Sequence, residues 1–248
     1  MKPVTSPQNE TIKFIRSLAN KRRRQAAGLF VAEGDKVLAR ARACGWVPKY
    51  LITRNGSDDG WAEETLLASE SVLRAVSTQE NPTGATGVFA ERWAAAPTTG
   101  DLWLVLDTLR DPGNLGTIIR TADAAGASGV ILTGEGCDPY GAEAVRATMG
   151  SLFATPLVRM TTPALTALAQ HWPGEIIGTA MAATEDYRRS YRAPTLLMIG
   201  SEATGLAPAL QALCSTTVRI PMAGPVESLN VAIAAALVMY EIRRSTGL

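Results

Sequence analysis

Histidine is almost absent from this chain of 248 residues: His171 stands alone. A single histidine excludes multi-histidine metal sites, so no metal ligand is assigned, and a Ser-His-Asp system would have to use His171 without a nucleophile-elbow motif beside it. His171 precedes Trp172-Pro173, where a helix end is expected. Cysteine is scarce too. Cys44, Cys137 and Cys214 lie far apart with no C-x-x-C pair. That spacing argues against a disulfide framework or a zinc site and leaves them as buried small hydrophobes. The longest uninterrupted apolar run, Val231 to Tyr240, is ten residues, against about 20 needed to cross a bilayer. The opening MKPVTSPQNE lacks an apolar stretch, so no signal peptide is read. These absences lead us to expect a soluble, cytoplasmic protein with no membrane partner.

Net charge is also nearly absent, with 24 Lys and Arg against 23 Asp and Glu. The two parts of the chain differ, however. Residues 1–96 carry 14 basic and 10 acidic side chains, whereas the remainder carries 10 and 13. The split suggests that the N-terminal part meets a polyanion. Six basic residues fall between Lys13 and Arg24, ending in Lys21-Arg22-Arg23-Arg24. Ile12, Ile15 and Leu18 recur there at helical spacing, so residues 10–24 read as one amphipathic basic helix. Its charged face is either solvated or free for a partner.

Beyond that helix, strands are expected at LFVAEG, at 49–53, near 72–76 and at 87–90, and helices at 35–43 and 62–69. This reads as a small α/β domain of residues 1–93. A small, uncharged, proline-bearing segment, 94–100, reads as a linker. Residues 101–248 form the second domain. LWLVLD is a near-continuous apolar run, as for a strand buried on both faces of a parallel sheet. Further strands are expected at GVILT, TPLVRM, EIIGTAM, TLLMIG and TTVRI, with helices between them, which is the pattern of an open parallel α/β sheet. Such sheets bind ligands beyond the carboxyl ends of their strands, so the loops after Leu106, Ile199 and Ile220 are where chemistry is sought.

The first of these loops opens LDTLRDPGNLGTIIRTADAAG. Pro112 and Gly113 make the turn, and Asn114 is placed to cap the following helix. Arg120, set among Ile118, Ile119 and Ala122, is expected to be partly buried and to need an anionic partner. In the second loop Gly200 allows close backbone approach to a ligand. Glu202 there is either a carboxylate at a strand end or a helix-start residue favoured by the dipole. In the third, IPMAGPVESLN, Ser228 and Asn230 stand at the mouth of an apolar helix, where Ser228 is either an N-cap or part of a ligand site.

The trio DPGNLGTIIRTADAAG, IGSEATGL and IPMAGPVESLNVAIAAALVMYE, in this order, closely resembles the three motifs of the SpoU, or TrmH-like, branch of the SPOUT RNA methyltransferases. The resemblance covers about the last 150 residues. The N-terminal part is similar to the L30e-like RNA-binding domain that many members carry. What this implies is a parallel sheet with a deep trefoil knot, a homodimer with active sites at the subunit interface, and S-adenosylmethionine as cofactor. By motif position the cofactor falls to Gly200, Ile220 and Leu229, with Thr179, Met222 and Ser228 close by. The catalytic set is Asn114, Arg120, Glu202, Ser228 and Asn230, and the reaction is methyl transfer to a ribose 2′-hydroxyl. In this family the arginine has been put forward as the base, but arginine is effectively always protonated. Arg120 is better read as a clamp on the target phosphate, with Glu202 or a phosphate oxygen taking the proton. Lys21, Arg22, Arg23 and Arg24 are then phosphate contacts for a structured RNA. Ribosomal RNA, in particular 23S, is favoured over transfer RNA because simpler transfer RNA members often lack an L30e-like domain. A non-catalytic knotted RNA-binding protein is the other reading. A nicotinamide oxidoreductase is disfavoured, since no G-x-G-x-x-G follows the first strand of a βαβ unit.

Overall fold

In the computed structural model the described residues are 1–55, 59–79, 84–98 and 100–247. They separate into two compact units: residues 1–92 with 138–154, and residues 93–137 with 155–248. The first unit opens with β1 (Lys2–Val4), α1 (Glu10–Ser17), α2 (Lys21–Ala27), β2 (Leu29–Glu33) and α3 (Asp35–Ala43). It continues through β3 (Tyr50–Thr53), β4 (Glu64–Ala68), α4 (Glu70–Val76) and β5 (Thr86–Ala90). The second unit begins with β6 (Leu102–Asp107), α5 (Pro112–Ala124) and β7 (Gly129–Thr133). The chain then contributes α6 (Ala142–Ala147) to the first unit. It resumes the second with β8 (Leu157–Met160), α7 (Thr162–Gln170), β9 (Glu175–Thr179) and β10 (Glu185–Asp186). Last come β11 (Thr195–Ile199), α8 (Pro208–Gln211), β12 (Thr216–Arg219) and α9 (Val231–Thr246).

The first unit is a five-stranded sheet in the order β1-β4-β3-β5-β2, parallel from β1 to β3 and antiparallel beyond. Three expectations are corrected here. The basic helix is two helices, because Leu18 ends α1 and the Asn20 side chain accepts from the Arg22 and Arg23 amides to start α2. An asparagine that can satisfy two free N–H groups competes with continued helix, and here it wins. The buried stripe Ile12, Ile15 and Leu18 is as the spacing predicts. Residues 62–69, read as a helix, hold strand β4, and residues 72–76, read as a strand, belong to helix α4. The leucines and alanine of β4 favour helix locally, but the segment is paired on both sides, by β1 and β3, and pairing overrides propensity. In α4, Val72, Leu73 and Val76 form one buried face with helical spacing.

The third correction concerns Arg24. It is 5% exposed and not part of a solvated basic face. Its Nε and Nη2 donate to Asp138 Oδ2 at 3.0 and 2.8 Å, and its Nη1 donates to the Leu18 carbonyl at 2.7 Å. Asp138 Oδ1 in turn accepts from the Tyr140 amide at 3.0 Å. The guanidinium thus closes the end of α1 and serves the fold, whereas Lys21, Arg22 and Arg23 are exposed.

The second unit is a seven-stranded parallel sheet in the order β10-β12-β9-β11-β6-β7-β8. Every residue of β6 is buried, as its unbroken apolar run predicts. Six of its seven strands match the runs expected from sequence; β10, of two residues, was not foreseen, and neither was β1 in the first sheet. Ala94, within the segment read as a linker, bridges Val158 on the far strand, and residue 99 of that segment lies outside the described residues. His171 ends α7, as expected, with Nδ1 3.0 Å from the Ala167 carbonyl oxygen. None of the three cysteines is in a disulfide, and all are half-buried, less enclosed than their reading as core hydrophobes implied.

Replacing Arg24 by alanine leaves the Asp138 carboxylate buried without its partner. The unfolding free energy is expected to fall by about 3–5 kcal/mol, read as a lower denaturant midpoint at an unchanged slope.

Candidate active site

Sheet order decides which loops can meet. Strands β6 and β11 are neighbours, so the loops leaving their carboxyl ends lie side by side. The first passes through Asp111, whose side chain accepts from the Asn114 amide at 2.6 Å and caps α5. Asn114 is therefore not the cap that its position suggested but a first-turn residue, and its side chain is free to do something else. Pro112 and Gly113 belong to the same first turn, as suits a proline whose missing N–H is not needed there.

The second loop is a tight one. A Cβ on Gly200 would come within 2.0 Å of the Gly205 carbonyl carbon, and Ser201 and Gly205 exchange backbone hydrogen bonds at 3.1 and 3.0 Å. Only glycine fits at 200, and Gly205 takes the left-handed conformation with φ of 68°. Glu202 sits at the tip of this small loop, exposed, and is not the first residue of a helix.

The third loop runs from β12 to α9, which packs against α5. Asn230 caps α9: its Oδ1 accepts from the amides of Ala232 and Ile233 at 2.9 and 3.3 Å. The cap is therefore Asn230 and not Ser228. Its Nδ2 donates to Asn114 Oδ1 at 2.9 Å, and Asn114 Nδ2 donates to Glu202 Oε1 at 2.9 Å. Three of the five expected catalytic residues thus form one relay. Its direction is forced, since an amide oxygen bound to helix N–H groups must present its NH2 to the next acceptor, and a carboxylate can only accept.

The other two are placed differently. Ser228 is exposed and makes no hydrogen bond among the described residues. Arg120 is exposed, contrary to the expected partial burial. Leu115, Ile118, Ile119 and Ala122 form the buried face of α5, and Arg120 projects from the opposite side. It makes no hydrogen bond or ion pair among the described residues and is available to an outside anion.

The residues expected to hold a cofactor also converge. Thr179 ends β9, Gly200 follows β11 and Ile220 follows β12, and these strands are adjacent, in the order β12-β9-β11. No hydrogen bond among the described residues engages the backbone of Gly200, Ile220, Met222 or Leu229. Unsatisfied backbone groups at the open ends of parallel strands are what a nucleoside-bearing ligand can occupy. The residues present therefore fit S-adenosylmethionine. Among the described residues no group of His, Cys, Asp and Glu is suited to hold a metal ion.

The SpoU rRNA methylase family model matches residues 101–240, which carry all of these loops. The chain belongs to that family. Residues 9–87 match the MRM3-like substrate binding domain. The 23S rRNA (guanosine(2553)-2'-O)-methyltransferase RlmP of Bacillus subtilis is 32% identical, over 98% of this chain and 100% of its own. A 23S rRNA (uridine(2479)-2'-O)-methyltransferase of Streptomyces viridochromogenes is 34% identical, over 92% of this chain and 86% of its own. The crystal structure of an AdoMet-bound rRNA methyltransferase from Sinorhizobium meliloti superposes with a TM-score of 0.91 at 38% identity, covering 100% of this chain and 98% of that one.

Within this SpoU-family site, two features escaped the sequence reading. The relay itself joins residues more than a hundred positions apart, and only the order of strands brings them together. Asp107 is the second: it is 6% exposed at the end of β6, visible in sequence only as a charge closing an apolar run. A nucleophilic role for Cys214 gains no support, because burial pushes its thiol up to about 11.

Asn230 both caps α9 and donates to Asn114, and two substitutions separate these roles. Asn230→Ala is expected to lower stability by about 1 kcal/mol through loss of the cap. Asn230→Asp keeps the cap, so its melting temperature stays close to that of the parent, while its second oxygen can no longer donate to Asn114. Thermal denaturation of the two variants side by side checks this.

Proposed function

We propose that this chain is an S-adenosylmethionine-dependent methyltransferase acting on a ribose 2′-hydroxyl in 23S ribosomal RNA. The observation that carries the reading is the Asn230–Asn114–Glu202 relay, ending in a carboxylate beside strand ends whose backbone groups are unengaged. S-adenosylmethionine supplies a methyl group on a positively charged sulfur, ready for attack by an oxygen nucleophile. A ribose hydroxyl is a weak nucleophile and must lose its proton as it attacks. Glu202 Oε1 is held by Asn114, and Oε2 makes no hydrogen bond among the described residues, so one lone-pair direction stays open to accept that proton. The helix cap at Asn230 fixes Asn114, and Asn114 fixes Glu202, which keeps the acceptor aimed without a histidine. Ser228, on the same loop as Asn230, is a hydroxyl that orients the ribose. Arg120, exposed and unpaired, grips the target phosphate with two N–H groups and stabilises charge developing on the attacking oxygen. Thr179, Gly200, Ile220, Met222 and Leu229 hold the cofactor, chiefly through backbone.

The N-terminal domain, residues 1–93, serves on this reading as the RNA-binding part, joined by residues 94–100 to the methyltransferase domain, 101–248. Lys21, Arg22 and Arg23, all exposed on the first turn of α2, are its phosphate contacts. The reading includes a homodimer. Ile233, Leu237 and Tyr240 on α9 are 52%, 37% and 48% exposed and fall at helical spacing on one face, a stripe suited to a second copy. It also includes the deep trefoil knot and a cytoplasmic location; no helix of the described residues is long and apolar enough to cross a membrane.

Incubating the protein with methyl-labelled S-adenosylmethionine and total RNA from a strain lacking it is expected to label 23S RNA at one 2′-O-methyl nucleotide. Label confined to transfer RNA would assign the other substrate, and no 2′-O-methyl product with any RNA would overturn the enzymatic reading in favour of a binding protein. Replacing Lys21, Arg22 and Arg23 together by alanine is expected to weaken RNA binding and to flatten the slope of log affinity against log salt by roughly two to three. An unchanged slope in filter binding from 50 to 200 mM salt would remove these three from the interface.

A further inference from the structure

Asp107 lies outside the relay, yet each of its oxygens is tied to one of the two segments that carry it. Its Oδ1 accepts from the Thr108 hydroxyl at 2.9 Å, and its Oδ2 accepts from the Ala207 amide at 3.1 Å. Thr108 begins the segment that leads through Asp111 to Asn114, and Ala207 closes the loop that carries Glu202. Thr108 has φ of 53°, a left-handed conformation that a β-branched residue adopts only when its surroundings hold it there. Two things hold it: the bond to Asp107, and its own amide, which donates to the Thr133 carbonyl at 3.0 Å. Gly134 makes room for the turn, since a Cβ there would meet the Thr108 hydroxyl at 2.3 Å. A carboxylate this buried has to be fully engaged to be tolerated, and here the groups that engage it come from the two active-site segments.

From this we infer that Asp107 is a positioning residue for methyl transfer: it sets the separation of Asn114 and Glu202 by fastening the turn before α5 and the end of the 200–207 loop to one carboxylate. The inference rests on the methyltransferase reading above. Because the sheet already fixes where β6 and β11 end, what Asp107 adds is the aim of the two loops beyond them. Loss of that aim lowers the rate of the chemical step with little effect on substrate binding, as expected when a reacting geometry is displaced by about 1 Å.

The test compares Asp107→Ala, which releases both loops, with Asp107→Asn. The asparagine can still accept from Ala207 through its oxygen and can donate to Thr108, whose hydroxyl turns round to accept. Asp107→Ala is expected to lower kcat by about 100-fold with KM for RNA nearly unchanged, and Asp107→Asn to restore most of the rate. In a background of Glu202→Gln, Asp107→Ala is expected to add no further loss, because it acts through Glu202. Full kcat in Asp107→Ala, or losses that multiply with those of Glu202→Gln, would overturn the inference. Should Asp107→Ala not fold, Thr108→Val removes one tether at constant shape and goes through the same cycle. Amide hydrogen exchange without substrate supplies a reading independent of activity. Exchange across residues 200–207 is expected to accelerate in Asp107→Ala, and unchanged exchange would also overturn the inference. If the parent protein transfers no methyl group but the exchange result holds, it is the function that is wrong and not the tether.

Discussion

The candidate site depends on a helix cap. Asn230 must turn its carbonyl oxygen toward the first amides of α9, because those groups have no other partner. That requirement leaves its NH2 facing Asn114, which orients the Asn114 amide, which in turn presents an N–H to Glu202. A local rule of helix chemistry is thus carried across the sheet and ends on an exposed carboxylate. The other elements serve this line. Asp111 holds the Asn114 backbone, the Gly200–Gly205 turn holds Glu202 at its tip, and α9 packed on α5 keeps the two asparagines within reach. On the proposed function, stability and chemistry share the same atoms, and the site is not an addition to a finished fold.

Much of this was legible in the amino-acid sequence, for a physical reason. Strands of a parallel sheet are buried on both faces, so runs such as LWLVLD and TLLMIG announce themselves without any partner being known. Asn114, Glu202 and Asn230 could be singled out because they stand in the loops beyond the carboxyl ends of such runs, where a parallel sheet binds its ligands, although each residue type also has an ordinary structural use there. The resemblance to SpoU enzymes named the same three. What sequence did not give was their bonding. Asn114 looked like a cap, and so did Ser228, because the residue types permit it; the actual caps, Asp111 and Asn230, differ by a few positions, which only geometry decides.

The larger misreadings follow the same logic. Segment 62–76 was inverted, strand for helix, since leucine and alanine are indifferent to which structure they enter until β1 and β3 claim them. Arg120 was expected to be partly buried because apolar residues surround it in sequence, yet a helix turns 100° per residue and puts neighbours on different faces. Arg24 erred the other way. Its place in a basic run suggested solvent, while its partner Asp138 lies 114 residues further on. Long-range charge pairing leaves no local trace, so a run of like charges does not reveal which of its members the fold has taken.

The order of strands has a consequence for how the protein is made. Strand β6 pairs with β11, whose residues follow roughly ninety positions later, and contacts so distant in the chain slow folding. As the chain leaves the ribosome, β6 is complete while one of its two edges waits for a partner not yet synthesised. Five of its six buried residues are apolar, and an unpaired edge of that kind is prone to pair with another chain. Helix α5 is made directly after β6, and the neighbour β7 then pairs with one side of that strand. The three neighbouring strands β6, β7 and β8 are thus all made before β11, and that edge of β6 is closed only when β11 has been made.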